Sequence, residues 1–221
     1  MSDKKLNIFN SVINENISEI STEILELGID NLLESEIIKA IPIFELGYKT
    51  YTLVKKIEDY RFTKKVLKFL FELKSIDSKT IEKFVRKIEA NKNHKDAGEK
   101  LLLIIHKLDE INKATIIGKL FIASIKGNIE FNDFLRLSRI VENTFFEDLL
   151  ALKDNKILYN VDMEIKLSLY QGHLLNQKIK DNREREEYIK RFSHSNKNKI
   201  IPPNFEYELN KYGEILIEYG L

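Results

Sequence analysis

Apolar residues recur every three to four positions along most of this chain, and in one stretch near its end they alternate instead. The helical period predicts a first helix over 8–26, with Ile8, Val12, Ile17, Ile20, Ile24 and Leu27 as its stripe. Gly28 ends it, and Asp30 caps a second helix through Ile38. Pro42 marks the next boundary, followed by apolar residues from Ile43 to Val54. A strong helix follows, with Val66, Leu67, Phe69, Leu70, Phe71 and Leu73 interleaved by Lys64, Lys65 and Lys68. Asp77 or Ser78 caps the helix that holds Ile81, Phe84, Val85 and Ile88, and the polar run 91–96 is a surface loop. From Ala97 to Glu110 the unbroken run Leu101–Ile105 covers most of a helix's circumference, which predicts a central helix. Ile111–Ile125 comes next, with Gly118 inside it and Gly127 closing it. Asn132 then caps Phe134–Val141, and Thr144 caps Phe145–Leu152. The short loops of this region require antiparallel packing.

Lys153–Lys156 reads as a hinge and divides the chain into a helical bundle, 1–152, and a second module, 157–221. In the second module Ile165, Leu167, Leu169, Leu174 and Leu175 suit a helix that ends near Gly172–Asn176. The stretch 178–199 is strongly polar, and Pro202-Pro203 leads into the alternating run Phe205, Tyr207, Leu209. Ile215, Leu216 and Tyr219 then form a closing helix. Helix, polar wing, strand and terminal helix make a winged-helix-like order. The fold class is therefore mainly α, a bundle followed by a small winged-helix-like C-terminal module with a short β-ribbon.

Composition sharpens this picture. Three prolines and eight glycines in 221 residues, with abundant Leu, Ile, Lys and Glu, favour helix. The absence of cysteine excludes disulfides, thiolate metal sites and cysteine nucleophiles. The amino terminus lacks an apolar core of signal-peptide length, and no window has the uncharged length of a membrane span. A cytoplasmic protein is expected. Net charge is +1 but unevenly placed: residues 1–45 carry three basic and nine acidic side chains, and 46–90 carry twelve and six. These segments either present solvated faces or pack on one another, within the chain or in a homo-oligomer.

Catalytic and cofactor signatures are missing from the sequence. The histidines at 94, 106, 173 and 194 have no metal-ligand spacing, and neither a Walker loop nor a dinucleotide-binding glycine pattern occurs. His106 reads as a core or interface residue and Ser124 as a small packing residue. The neighbouring acids Asp109-Glu110, Glu147-Asp148 and Glu186-Glu187 do not share a helix face as a dyad would. The expectation is a non-enzyme with no cofactor and no metal.

Two surfaces remain as candidates. Phe44, Tyr48 and Tyr51, bordered by Lys55, Lys56 and Arg61, would form a partner face or a membrane-surface face; the same pattern suits a buried hairpin. Arg183, Arg185, Lys190 and Arg191 would contact DNA phosphates from the wing, although Asp181, Glu184, Glu186 and Glu187 dilute them.

The segments Ile41–Lys49, Lys64–Leu70, Gly98–Asp109 and Lys113–Phe121 resemble those of uncharacterised helical bacterial and prophage proteins, over roughly residues 40–152. The layout, an acidic helical start, a helical centre and an end containing L-N-K-Y-G, distantly resembles abortive-infection alpha proteins. That resemblance implies a role in phage defence or prophage exclusion. The function expected is non-enzymatic protein–protein interaction in phage–host conflict, as a defence component, immunity factor or phage-encoded counter-defence. A winged-helix DNA-binding regulator and a membrane-disrupting abortive-infection effector are the alternatives.

Overall fold

A computed structural model describes residues 60–73, 76–91, 97–154, 158, 160–179 and 204–221. The helices expected before residue 60, the apolar segment 37–54 and the polar wing over 180–203 lie outside these residues. What is described is mainly helical, with one two-stranded antiparallel sheet near the C-terminus.

Helix α1, Tyr60–Leu73, buries Phe62, Val66, Phe69, Leu70 and Leu73, the stripe that a 3.6-residue period places on one face. Helix α2, Ser78–Glu89, starts where the sequence places a cap. The Asp77 carboxylate accepts from the Thr80 backbone N–H at 3.0 Å and from its hydroxyl at 2.6 Å. Those hydrogen bonds, the hydroxyl's first, hold the Asp77 carboxyl below its usual range.

The central position goes to a different helix from the one expected. Helix α3, Ala97–Lys107, buries Leu101, Leu102, Ile104 and Ile105 but leaves Leu103 44% exposed. Helix α4, Lys113–Ile125, is buried almost all round: Ala114, Ile116, Ile117, Leu120 and Phe121 are each at most 5% exposed. Small residues explain the exchange, because Ala114, Gly118 and Ala123 let neighbouring helices approach α4 from several sides. Phe121 packs within 5.6 Å of the rings of Phe69, Phe84 and Phe134, joining α1, α2 and the helix that follows.

Part of the basic surplus of 46–90 closes the end of α3. Arg61 donates to the Asp109 carbonyl at 3.0 Å, Lys65 to the His106 carbonyl at 3.1 Å, and Lys68 to the Asn112 side-chain oxygen. The last carbonyls of a helix lack partners within it, and the helix dipole makes that end attractive to cations. Lys65 is accordingly buried. One step further, fully buried Lys113 pairs with Asp109 at 2.6 Å and reaches the Glu142 carbonyl at 3.3 Å.

Helices α5, Phe131–Asn143, and α6, Phe146–Asp154, meet at Thr144. Its hydroxyl donates back to the Ile140 carbonyl at 2.8 Å, so Thr144 closes α5 where the sequence suggested that it opens the next helix. Helix α5 likewise begins earlier than expected, capped at Glu130 instead of Asn132.

After residue 158 come α7, Met163–Gln171; β1, Leu175–Ile179; β2, Phe205–Leu209; and α8, Lys211–Tyr219. The strands pair antiparallel with Leu175 opposite Leu209, Gln177 opposite Tyr207 and Ile179 opposite Phe205. Strand β1 takes over Leu175, which the sequence placed in a helix. The helix α8 packs on α4, and the buried apolar residues form one cluster that includes Phe62 and Leu216.

Candidate interaction surface

Helix α7 is short and strongly exposed, with Leu169 its one buried residue. Met163, Leu167 and Tyr170, at i, i+4 and i+7, share a face and are 56%, 43% and 38% exposed. Three apolar side chains in register on the outside of a nine-residue helix form a rail that stays exposed among the described residues. The hydroxyl of Ser168 donates to the carboxylate of buried Asp148 on α6.

The rail ends at a tightly specified turn. The His173 backbone N–H donates to the Tyr170 carbonyl and that of Leu174 to the Leu169 carbonyl, both at 3.0 Å. This paired closure needs a left-handed residue between helix and exit, normally glycine, and the buried leucines 169 and 174 supply its apolar contact. The left-handed position is held by His173, at φ 61°. The equivalent closure of α4 uses Gly127, at φ 79°.

Asn210 fixes the turn from the other side. Its side-chain oxygen accepts from the backbone N–H groups of Tyr212 and Gly213 at 2.9 and 3.0 Å, capping α8. Its side-chain nitrogen donates to the His173 carbonyl at 2.9 Å, and its backbone N–H to the Leu174 carbonyl at 3.2 Å. Gly213 is needed because a Cβ there would collide with the Leu174 carbonyl oxygen and stand 2.9 Å from a Leu209 methyl. The exit of α7, the base of the ribbon and the start of α8 are thus one hydrogen-bonded unit.

Between that unit and α5 opens a cleft of about 1000 Å³. Arg136 and Arg139, a turn apart on α5, form one wall; Tyr170, His173 and Tyr212 face them, and Phe145, 67% exposed, stands at the side. No carboxylate lines the cleft among the described residues. Arg136 donates to the Tyr212 hydroxyl at 3.0 Å and lies 5.5 Å from its ring centroid. Arg139 is steadied by Glu142 at 2.7 Å. Lys211 pairs with Asp133 at 2.6 Å, and that bond holds the lysine above its usual range. Tyr170 belongs to both rail and cleft and packs edge-on against Tyr207 of β2, 5.8 Å between ring centres.

Every site residue expected from the sequence, Phe44, Tyr48 and Tyr51 on one surface and Arg183, Arg185, Lys190 and Arg191 on the other, lies outside the described residues. Two other assignments lie within them. His106 is half-buried, with its ring 5.4 Å from that of Phe62. Ser124 is buried and its hydroxyl has no partner, as a small packing residue in a helix would be. Sequence reasoning missed Arg136, Arg139, Tyr170, His173 and Asn210. The i,i+3 arginine pair and the sequence Tyr-Gln-Gly-His were the signals present. Among the described residues no cluster of histidine and acidic side chains could hold a metal ion, and no helix is long and apolar enough to cross a membrane. Comparison with protein-family models, curated proteins and solved structures yields no match to this chain.

Proposed function

We propose that this is a non-enzymatic protein–protein interaction protein whose docking face is the outer side of α7 and the adjoining cleft. The observation that carries the reading is the exposed Met163–Leu167–Tyr170 rail. Apolar anchors at i, i+4 and i+7 are how an amphipathic helix engages a partner groove. The order α7, β1, β2, α8 supports a winged-helix-like module in which α7 stands where a recognition helix would. Phage–host conflict is the setting assigned, and its support is the resemblance of the sequence layout to abortive-infection alpha proteins.

The same helix-then-ribbon order favours a DNA-binding regulator as the second reading. The charge distribution favours protein over DNA. Residues 158–221 carry ten basic and ten acidic side chains, a neutral balance, and phosphate binding is favoured by a strongly basic face.

Co-purification from phage-infected bacteria, with wild-type, Met163→Glu and Leu167→Glu proteins as baits, tests the reading. A protein partner held by the wild type and lost with either charged variant is expected. Equal capture by all three overturns it. Binding to random duplex DNA that falls steeply with salt would put the regulator first.

A further inference from the structure

From the cleft beside α7 we infer that the partner segment is acidic: an extended or helical peptide whose apolar side chains lie along the rail and whose carboxylate enters between Arg136 and Arg139. This rests on the docking reading above and names the chemistry of its ligand.

The cleft is built in a way that a solvated groove is not. Its described lining holds two guanidinium groups and an imidazole with no carboxylate, in a chain whose acidic and basic residues are nearly equal in number, 35 against 36. The acids that do lie close, Glu142 and Asp133, bond to Arg139 and Lys211 from outside the lining, where they orient cations. Arg136 is oriented by the Tyr212 hydroxyl and ring, which engage one nitrogen and one face of the guanidinium. A guanidinium carries five N–H donors in a planar fork, so a pre-aimed Arg136 keeps donors for a carboxylate, which it can take bidentately. Orientation in advance matters, because an arginine that must first be ordered loses part of its binding energy to side-chain entropy.

The remaining lining suits a peptide. Tyr170 and exposed Phe145 supply apolar contact, while the side-chain amides of Asn143, Gln171 and Asn176 can pair with a peptide backbone. A left-handed histidine at the rim adds a second observation. His173 holds a backbone conformation that disfavours side chains, and the residue lines the cleft. A nucleic acid fits less well. No lysine among the described residues lines the cleft, and residues 158–221 balance ten basic against ten acidic side chains, without the basic excess that an extended polyanion needs.

The test is fluorescence anisotropy with the full chain and a labelled peptide of alternating glutamate and leucine with a central phenylalanine. Its glutamine twin and labelled single-stranded oligothymidine are the comparison ligands. Arg136→Gln, Arg139→Gln and, as a charge control on the ribbon outside the cleft, Lys178→Gln are measured alongside. The glutamate peptide should bind about tenfold more tightly than its twin, and Arg136→Gln should remove that difference; a charge-assisted hydrogen bond has this size. Lys178→Gln should change nothing. Equal binding of both peptides, an equal loss in Lys178→Gln, or preference for oligothymidine overturns the inference. So does the absence of any peptide binding. If co-purification then still depends on Leu167, the docking face stands and only its acidic specificity falls; if it does not, both fall.

Discussion

Replacing His173 by glycine should make the protein more stable while damaging its surface. For an L-residue the left-handed helical conformation costs roughly 1–2 kcal/mol, because Cβ crowds the following carbonyl. Histidine is among the residues that tolerate it best, which points to the lower end, about 1 kcal/mol. Glycine removes that cost but adds freedom to the unfolded chain, worth about 0.5–1 kcal/mol against it. At φ 61° the first effect should prevail, because the paired closure of α7 and the bond from Asn210 hold the backbone there in any case. A net gain of up to about 0.5 kcal/mol is expected, a rise of at most about 1–2 °C in Tm for a chain of this size. Thermal unfolding followed by circular dichroism measures it, with His173→Ala as the critical comparison. Alanine keeps the Cβ and is less tolerant of the left-handed conformation than histidine, so it should unfold at or below the wild-type temperature. The separation between the two variants is the quantity that matters. If glycine and alanine shift Tm equally, conformational strain is not what His173 carries. The glycine variant should also bind the acidic peptide more weakly, since the imidazole leaves the cleft.

Asn210→Ala should cost about 1–2 kcal/mol in unfolding experiments, the size of a lost helix cap. Asn210→Asp keeps the acceptor but loses the donor to His173, so a loss confined to alanine would show that the bridge between turns is unimportant. Gly213→Ala should destabilise by more than about 2 kcal/mol in denaturant titration, because the neighbour it meets is backbone; a change under half that would mean the turn gives way easily. Burial works against the charge of Asp109, yet the Lys113 hydrogen bond and charge prevail and hold its carboxyl below the ordinary 3.8. The unfolded chain therefore takes up this proton first as pH falls. The stability Asp109 contributes is complete above about pH 5 and is lost as pH drops through 3.8 and below. Asp109→Asn should cost about 1–3 kcal/mol at neutral pH, discounted from the usual figure for a broken buried pair because the Asp109 side chain is 59% exposed. It should also flatten the acid limb of the stability profile; an unchanged limb would remove Asp109 from the account.

The helices were legible because their apolar residues repeat at a helical period, and Asp77 and Gly127 marked boundaries that the structure keeps. Thr144 misled because a threonine before an apolar run has the pattern of an opening cap, while its hydroxyl bonds backwards to Ile140. Strand β2 showed its alternation, but β1 did not. Leu175, Gln177 and Ile179 share a face, and glutamine in the middle of that face hides the period. The centrality of α4 was invisible in its most apolar neighbour, since burial there follows from small residues that admit other helices. The cleft was illegible for a different reason. Arg136, Arg139, Tyr170, His173 and Tyr212 are brought together by packing of α5, α7 and α8, and no local spacing records that.

The ribbon has a consequence for the order in which the chain folds. Ile179 and Phe205 meet across 25 intervening residues, and Asn210 reaches His173 across 37 positions. Closing the intervening chain carries a length-dependent entropy cost of roughly 3 kcal/mol, and that cost falls before the strand bonds form. Local contacts around Phe121 carry no such delay. The helical centre should be in place while the docking face is still unassembled, and in native-state hydrogen exchange the amides of β1 should open well before those of α4.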